Sequence, residues 1–422
     1  MSENWYGRDL ELRLGNPGHG GFCVARHEGR VVFVRHGLPG ELVRARVTED
    51  RGGSFCRADA VEVLEASADR VDPLCPISGP GGAGCCDLSY AALPAQRRIK
   101  AAVVAEQLRR LAGVDRDVEV EDLPGTGDGT GWRTRLRLAV DADGHAGFHG
   151  YRSTRVITNL ACPQPVSGSY EGIAERVWRP GAELQVTVDA AGERHVVEIE
   201  PAHVSRTGRR SPGRRGATAR RAATSRSRRE HPVIGGGRAV ARVGDREWEL
   251  SATGFWQAHR GAAQRYSQVV GEWSGLAAGE TAWDLYGGVG VFAAVLAAQV
   301  GEGGSVLSVE SATGAVEAGR RALADLPQVR FEAARVENVV TRLAGPVSTV
   351  VLDPPRSGAG RAVVDAVGAA GPRTVVHIGC DPAAFGRDVG LYLAQGYQLA
   401  DVRAFDAFPL THHVECIALL HR

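Results

Sequence analysis

Four side chains in the last third of the 422-residue sequence have types that could do chemistry, and each lies where a strand is predicted to end or begin. Glu310 ends "GSVLSVE", Asp353 follows "STVVL", and Cys380 follows "TVVHIG" in "HIGCDPAAFGRD". Because parallel strands open into one crevice at their carboxyl ends, Asp353 and Cys380 are expected to face one ligand. Taken alone, Cys380 is better explained as a small core residue, and Glu415 as an exposed carboxylate that begins the last strand.

A glycine-rich turn precedes these residues. The segment "TAWDLYGGVGVFAAVLAAQV" predicts an apolar strand, a turn and a helix that begins near Val291. Such a turn lets the backbone approach a ligand closely, and Glu310 could accept hydrogen bonds from both hydroxyls of a ribose. The sequence therefore favours nucleotide binding over a bare structural turn, and the absence of a P-loop argues against a nucleoside triphosphate.

Four cysteines form the second chemical candidate. Cys75, Cys85 and Cys86 lie within twelve residues, and Cys162 follows in "NLACPQP". Four thiolates could hold a [4Fe–4S] cluster or zinc. Because neighbouring side chains usually diverge, one of the adjacent pair Cys85 and Cys86 is expected to be a bystander. Buried thiols without a metal remain the alternative.

The chain is too long for one hydrophobic core, and its patterning predicts several units. Residues 1–66 alternate apolar and polar positions between glycine and proline turns, which predicts an OB-like β-barrel with Cys23 and Cys56 as buried fillers. Residues 67–204 predict a cysteine-rich loop, an amphipathic helix and a small antiparallel domain. Residues 231–422 alternate strands and helices, which predicts an α/β domain with a parallel sheet.

The remaining segment, residues 205–230, holds ten arginines against one acid and no apolar residue larger than alanine. It is predicted to be a disordered arm or insertion that either contacts RNA phosphates or is simply solvated. Without it the 50 basic and 49 acidic residues fall to 40 and 48. No signal peptide or membrane span is evident, and we expect a cytoplasmic protein without a membrane partner.

Several motifs, taken in their order along the chain, resemble those of a known family. "SATGFWQAH", "DLYGGVG", "LDPPRSG", "GCDPAAFGRD" and "DAFPLTHHVE" together resemble the S-adenosylmethionine-dependent RNA (uracil-5-)-methyltransferases, and "GHGGFCVARHEGRVVFVRHGLPGELV" resembles a TRAM domain. The resemblance implies a class I methyltransferase Rossmann-like domain with a seven-stranded sheet. It also implies S-adenosylmethionine as cofactor and RNA as partner.

Site residues follow from this resemblance by position. Gln257, Tyr286, Glu310 and Asp353 fall where the family contacts its cofactor, Cys380 at its nucleophile and Glu415 at its base. Phe255, Trp256 or Phe408 could support a flipped uracil, although packing explains these aromatics equally well.

The implied reaction accounts for these residue types. A thiolate that adds to C6 of uracil activates C5 for methylation, and a base then removes the C5 proton so that the thiol can leave. Two positions depart from the family pattern. The usual Cys-Gly-Gly-Cys reads "AGCC" here, with Ala83 at the first of those cysteines, and Asp381 replaces an asparagine after the nucleophile.

Other functions stay open at this point. An NAD-dependent oxidoreductase would use the same glycine turn but would not require Cys380 and Glu415, and a non-catalytic RNA-binding protein would tolerate the loss of both. By resemblance, ribosomal RNA is the expected substrate, with the T-loop of tRNA as the alternative. The chain is expected to be a monomer.

Overall fold

The computed structural model describes residues 4–201, 228–343 and 345–422. The predicted arginine-rich arm at 205–230 lies outside the described residues except for its last three positions. Among the helices that are described, none is both long enough and apolar enough to cross a bilayer.

The N-terminal sheet has six strands in the order β1-β5-β6-β4-β3-β2. They are β1 (Asp9–Arg13), β2 (Pro17–Gly18), β3 (Phe22–His27), β4 (Arg30–Arg35), β5 (Leu42–Asp50) and β6 (Phe55–Glu65). Alternate side chains point inward, and they pack into one core drawn entirely from residues 5–60. Cys23 and Cys56 belong to this core, as predicted. The edge strand β2 has only two residues and pairs with β3.

The helix α1 (Leu93–Gln107) and a π-helical turn (Leu108–Ala112) follow the cysteine-rich loop, and β7 (Val120–Asp122) comes next. An antiparallel sheet then has the order β10-β9-β8-β11-β12-β13. Its strands are β8 (Arg135–Val140), β9 (Ala146–His149), β10 (Val156–Ile157), β11 (Glu183–Val188), β12 (Arg194–Ile199) and β13 (Glu230–Ile234). The last strand, β13, lies at the predicted boundary between residues 205–230 and 231–422. It nevertheless pairs with β12, in the sheet of the preceding segment.

The C-terminal sheet has eight strands in the order β18-β17-β16-β19-β20-β22-β21-β7. A hairpin of β14 (Arg238–Val243) and β15 (Arg246–Ser251) precedes it. The sheet strands are β16 (Thr281–Leu285), β17 (Ser305–Glu310), β18 (Val329–Ala333), β19 (Thr349–Leu352), β20 (Thr374–Gly379), β21 (Gln398–Asp406) and β22 (Glu415–His421). Only β22 runs antiparallel to its neighbours. The eighth strand, β7, comes from the preceding segment and pairs with β21.

Helices cover both faces of this sheet, as parallel strands require. They are α2 (Ala262–Trp273), α3 (Val291–Val300), α4 (Thr313–Ala322), α5 (Val336–Val339), α6 (Arg361–Ala370) and α7 (Pro382–Leu393), with a 3₁₀ turn at Val340–Arg342. One core joins the sheet to α2, α3 and α4, and the other joins it to α1, α6 and α7. Because α1 and β7 belong to the earlier segment, this second core fixes that segment against the sheet.

Candidate active site

The carboxyl ends of β19 and β20 and the amino end of the antiparallel strand β22 place the predicted chemical residues along one edge of the sheet. Leu352 at the end of β19 pairs with His377 of β20, so Asp353 lies near the strand that carries Cys380. Gly379 pairs with Cys416 across the antiparallel β20–β22 pair. Cys380 and Glu415 are the next residues of this pair and therefore lie side by side. The structure thus brings the predicted nucleophile, base and carboxylate together.

The glycine-rich turn follows β16 and leads into α3. A Cβ on Gly287 would come within 2.2 Å of Ser308 Oγ and 2.5 Å of Asp284 Oδ2, so only glycine fits there. Asp284 is fully buried, and its Oδ2 accepts hydrogen bonds from Ala293 N (3.1 Å) and Ser308 Oγ (3.2 Å). One carboxylate therefore ties the turn, the first turn of α3 and β17 together.

Two of the predicted cofactor-binding residues flank this turn. Glu310 accepts a hydrogen bond from Gly288 N (3.2 Å) and one from Ala312 N (2.6 Å), which holds the carboxylate at the end of β17. Tyr286 has a φ of 62°, rare for a side chain of its size, and its hydroxyl donates to Glu337 Oε1 (3.1 Å). Residues held in such a conformation cluster at functional sites.

Gln257 lies farther along, in the loop between β15 and α2. Its side chain is half-buried and makes no hydrogen bond to the described residues. The structure therefore brings Tyr286, Glu310 and Asp353 to one edge of the sheet, whereas no hydrogen bond within the described residues links Gln257 to them.

Burial and like charge dominate the electrostatics of the cluster formed by Asp353, Cys380 and Glu415. Burial raises the pKa of Asp353 to about 7, and it raises the pKa of Glu415 well above its usual value, with the charge of Asp353 adding to the effect. Burial and these two carboxylates raise the pKa of Cys380 to about 12, while Arg356 opposes the shift. Cys380 is therefore a thiol at neutral pH, and added positive charge nearby would favour its thiolate.

Tyr266 on α2 is a neighbour that sequence reasoning missed. It is fully buried, its ring packs 5.6 Å from that of Phe405, and its hydroxyl has no hydrogen-bond partner among the described residues. The charges of Glu415 and Asp353 raise the pKa of this phenol further, after burial itself. A buried hydroxyl that lacks a hydrogen-bond partner near two carboxyl groups is unusual for a residue that only packs in a core.

The loop that leads to Glu415 is held by buried groups from the cysteine-rich segment, which the sequence did not reveal. Lys100, the single lysine of the chain, forms an ion pair with Asp406 and donates to Phe408 O (3.1 Å). Leu410 N donates to Gln96 Oε1 (2.7 Å). Asp87 Oδ2 lies 2.5 Å from His412 Nδ1. The segment that leads to Glu415 is therefore positioned by contacts from α1 and the loop before it.

The segment after Cys380 is fixed by a helix cap and by the N-terminal sheet. Asp381 Oδ1 accepts hydrogen bonds from Ala383 N (3.1 Å) and Ala384 N (2.9 Å), which caps α7. His19 Nε2, from the turn between β2 and β3, lies 3.2 Å from Asp381 Oδ2. The replacement of asparagine by aspartate thus keeps the cap and adds a charge that faces a histidine.

Asp388, farther along α7, holds the loop that begins at Asp353. It is fully buried, and its Oδ2 accepts hydrogen bonds from Ala359 N (2.7 Å) and Gly360 N (3.4 Å). Arg387 Nη2 donates to Ser357 O (2.8 Å) in the same loop. The end of the "GCDPAAFGRD" motif therefore supports the neighbouring "LDPPRSG" motif.

The three candidate aromatic residues differ in exposure. Phe255 is 73% exposed. Trp256 packs against Trp248 at 5.8 Å, and Phe408 lies between Trp132 (6.0 Å) and His413 (5.8 Å). Packing therefore accounts for Trp256 and Phe408, whereas Phe255 stays available to a ligand.

The four candidate metal-ligating cysteines gather in one cluster below the loop that leads to Glu415. Cys75 interacts with Cys86 and Cys162, and Cys85 interacts with the same two thiols. These neighbours lower the pKa of Cys75 to about 4, and Gln164 Nε2 donates to Cys86 Sγ (3.2 Å). Adjacent Cys85 and Cys86 both lie in the cluster, and the idea that one of them is a bystander to a metal stays a prediction. Thiolate sulfur is the donor type that both structural zinc and iron–sulfur clusters take.

Comparison with known proteins decides the family. The model of the tRNA (uracil-5-)-methyltransferase family matches residues 277–422, and that of the TRAM domain matches residues 6–61. An uncharacterized RNA methyltransferase of Corynebacterium glutamicum is 40% identical over 429 residues, which cover 98% of this chain and 97% of that protein. The chain belongs to the RNA (uracil-5-)-methyltransferase family. An uncharacterized RNA methyltransferase of Streptomyces avermitilis is 42% identical over 434 residues and 98% of each chain.

A solved member of this methyltransferase fold agrees with the architecture. The crystal structure of Pyrococcus abyssi tRNA (uracil-54, C5)-methyltransferase in complex with S-adenosyl-L-homocysteine matches with a TM-score of 0.69 at 22% identity. The match covers 97% of this chain and 100% of that one. The predicted fold class is confirmed, and the protein is an S-adenosylmethionine-dependent RNA methyltransferase with a TRAM domain.

Proposed function

We propose that this RNA methyltransferase transfers a methyl group to C5 of a uridine through a covalent bond between Cys380 and C6 of the base. The observation that carries the proposal is the position of Cys380 beside Glu415 at the ends of β20 and β22, with Asp353 after the adjacent strand. An oxidoreductase or a non-catalytic RNA-binding protein would require neither the thiol nor the paired carboxyl groups.

The residues divide the work as follows. The Cys380 thiol gives up its proton to solvent, the thiolate adds to C6, and the π electrons of the C5–C6 bond form an enolate with C4 and O4. Bound S-adenosylmethionine supplies the methyl group that C5 takes up. Glu415 then accepts the C5 proton, the C5–C6 double bond re-forms, and Cys380 leaves as the thiolate.

The raised pKa values of the carboxyl groups suit this order of events. Burial raises the pKa of both Asp353 and Glu415, and the charge of Asp353 raises that of Glu415 further because two negative charges in a buried site repel. The pair thus retains a proton near neutral pH, which Glu415 must give up before it can accept the C5 proton, and the ionised Glu415 is then a stronger base than an exposed glutamate. Arg356 favours the thiolate of Cys380, since its positive charge lowers the pKa of that thiol.

The cofactor is proposed to lie over the glycine-rich turn. Glu310 would accept hydrogen bonds from the ribose hydroxyls, Tyr286 would border the turn, and Gln257 and Asp353 would make polar contacts. Support comes from the fixed positions of Glu310 and Tyr286 beside the turn.

The four cysteines are proposed to hold a [4Fe–4S] cluster, with zinc as the alternative. Bound there, the metal centre would fix the loop at 75–86 to Cys162, close to the segment that carries Glu415. Protein purified without oxygen should contain iron and acid-labile sulfide, and Cys86→Ser should lose both, whereas Cys56→Ser should not. Stoichiometric zinc without sulfide would identify the alternative.

The proposed substrate is a uridine of 23S ribosomal RNA, and the alternative is the T-loop uridine of tRNA. The tRNA alternative gains weight from the matching family, which is named for tRNA, and from the tRNA activity of the Pyrococcus abyssi enzyme. Mapping 5-methyluridine in both RNAs from cells with and without the protein distinguishes the two. The position that loses its methyl group identifies the substrate.

A further inference from the structure

The outward face of the N-terminal sheet carries a row of three phenylalanines, one on each of three neighbouring strands. Phe22 on β3, Phe33 on β4 and Phe55 on β6 meet edge to face, with ring centroids 6.2 Å and 5.6 Å apart. Their inward neighbours, such as Cys23 and Cys56, fill the core. The row itself remains open to solvent, with Phe55 45% exposed. Packing of the core therefore does not account for the phenylalanine row.

Arginines surround the phenylalanine row. The Arg57 guanidinium lies 5.8 Å from the Phe22 ring and 5.5 Å from the Phe55 ring. Arg51, Arg57 and Arg152 share a single carboxylate, Glu49, at 3.3, 3.1 and 3.0 Å. Three guanidinium groups against one carboxylate leave net positive charge at the edge of the row, which suits a phosphate-bearing ligand.

The phenylalanine row begins beside the catalytic site. Gly21, directly before Phe22, packs against His412, since a Cβ there would lie 3.3 Å from His412 Cβ. The same turn provides His19, which faces Asp381 next to the nucleophile. An RNA strand that leaves the catalytic crevice on this side would therefore reach Phe22 first and the exposed Phe55 last.

We propose that the phenylalanine row is a stacking platform for unpaired bases of the substrate RNA next to the methylated uridine, with the surrounding arginines on its phosphates. This inference rests on the proposed function, which makes RNA the substrate. Aromatic faces interleaved with arginines suit a single strand, because its bases offer free faces for stacking. A duplex offers phosphates to the arginines but hides its base faces inside the helix.

The test measures binding alone, without S-adenosylmethionine. The probe is a fluorescein-labelled oligouridylate of about 12 nucleotides, a length that spans one such surface. Phe55→Ala should weaken binding about tenfold, within the range expected when one base has no ring to stack on. Phe55→Trp should restore it. Val177→Ala, which removes an exposed apolar side chain of the central domain, should leave it unchanged.

The arginines are tested by salt dependence. Arg51→Gln combined with Arg152→Gln should reduce the slope of log affinity against log salt by about 0.7 for each phosphate that the variant no longer neutralises. Equal affinities of wild type and Phe55→Ala in a protein that still methylates RNA would overturn the platform and leave the proposed function intact. An equal loss of affinity for a duplex of the same length would also overturn it. Loss of methylation in Cys380→Ala with unchanged strand binding supports the platform independently of the chemistry.

Discussion

The buried ion pair between Lys100 and Asp406 connects α1 to the loop that ends at Glu415. The lysine side chain is 0% exposed and the aspartate side chain 2% exposed, so solvent screens neither charge. Burial lowers the pKa of Lys100, and Asp406 opposes that shift. Lys100→Met would leave Asp406 as an uncompensated buried charge and free Phe408 O. We expect it to lower the free energy of unfolding by about 3–5 kcal/mol.

The assay is urea unfolding, followed by methylation at saturating substrate. Replacing both partners, as in Lys100→Met with Asp406→Leu, should recover stability to within about 2 kcal/mol of the wild type, because no unpaired charge remains. The matched control lies on the same helix. Arg98 and Asp69 pair with 61% and 44% of their side chains exposed, so Arg98→Met should cost at most about 1 kcal/mol. A cost for Lys100→Met no larger than that of Arg98→Met would refute the reasoning.

Three further outcomes follow from the site. Gly287→Ala forces a Cβ to within 2.2 Å of Ser308 Oγ, so calorimetry should show reduced S-adenosylmethionine affinity, whereas Gly53→Ala, whose Cβ meets no atom within 4 Å, should leave the affinity unchanged. Burial raises the pKa of Asp284 to about 7, so the folded state keeps a proton that the unfolded chain loses above about pH 4. The free energy of unfolding should therefore fall between about pH 4 and 7, and less steeply in Asp284→Asn. Asp388→Ala should lower kcat with RNA binding unchanged, because it releases the loop at Ala359; equal kcat values would contradict this role.

The local sequence pattern predicted the strand ends that hold the candidate site residues. Glu310, Asp353 and Cys380 each follow a short apolar run, and parallel strands bring such positions to one edge whatever the rest of the fold does. The glycine-rich turn was predictable because its backbone comes so close to Asp284 that only glycine fits. The alternation in residues 8–66 likewise predicted the N-terminal sheet.

Contacts between distant segments were not predictable in the same way. Lys100 and Asp406 lie 306 residues apart, and only the uniqueness of the lysine singled it out. Strand β7 has three residues and no periodic pattern, so its pairing with β21 had no local signal. The arrangement of the cysteine cluster was not predictable from local sequence either. Adjacent thiols were expected to diverge, but the loop curves so that Cys85 and Cys86 both contact Cys162.

The central claim is that Cys380 forms a covalent bond to uracil and that Glu415 resolves it. The most direct measurement incubates Glu415→Gln with S-adenosylmethionine and the substrate RNA and then runs a denaturing gel. We predict a protein–RNA adduct that survives denaturation, and its absence when Cys380→Ala is added to the same variant. Cys416→Ala, which removes the neighbouring thiol, should keep the adduct. Normal 5-methyluridine formation by Cys380→Ala would contradict the account.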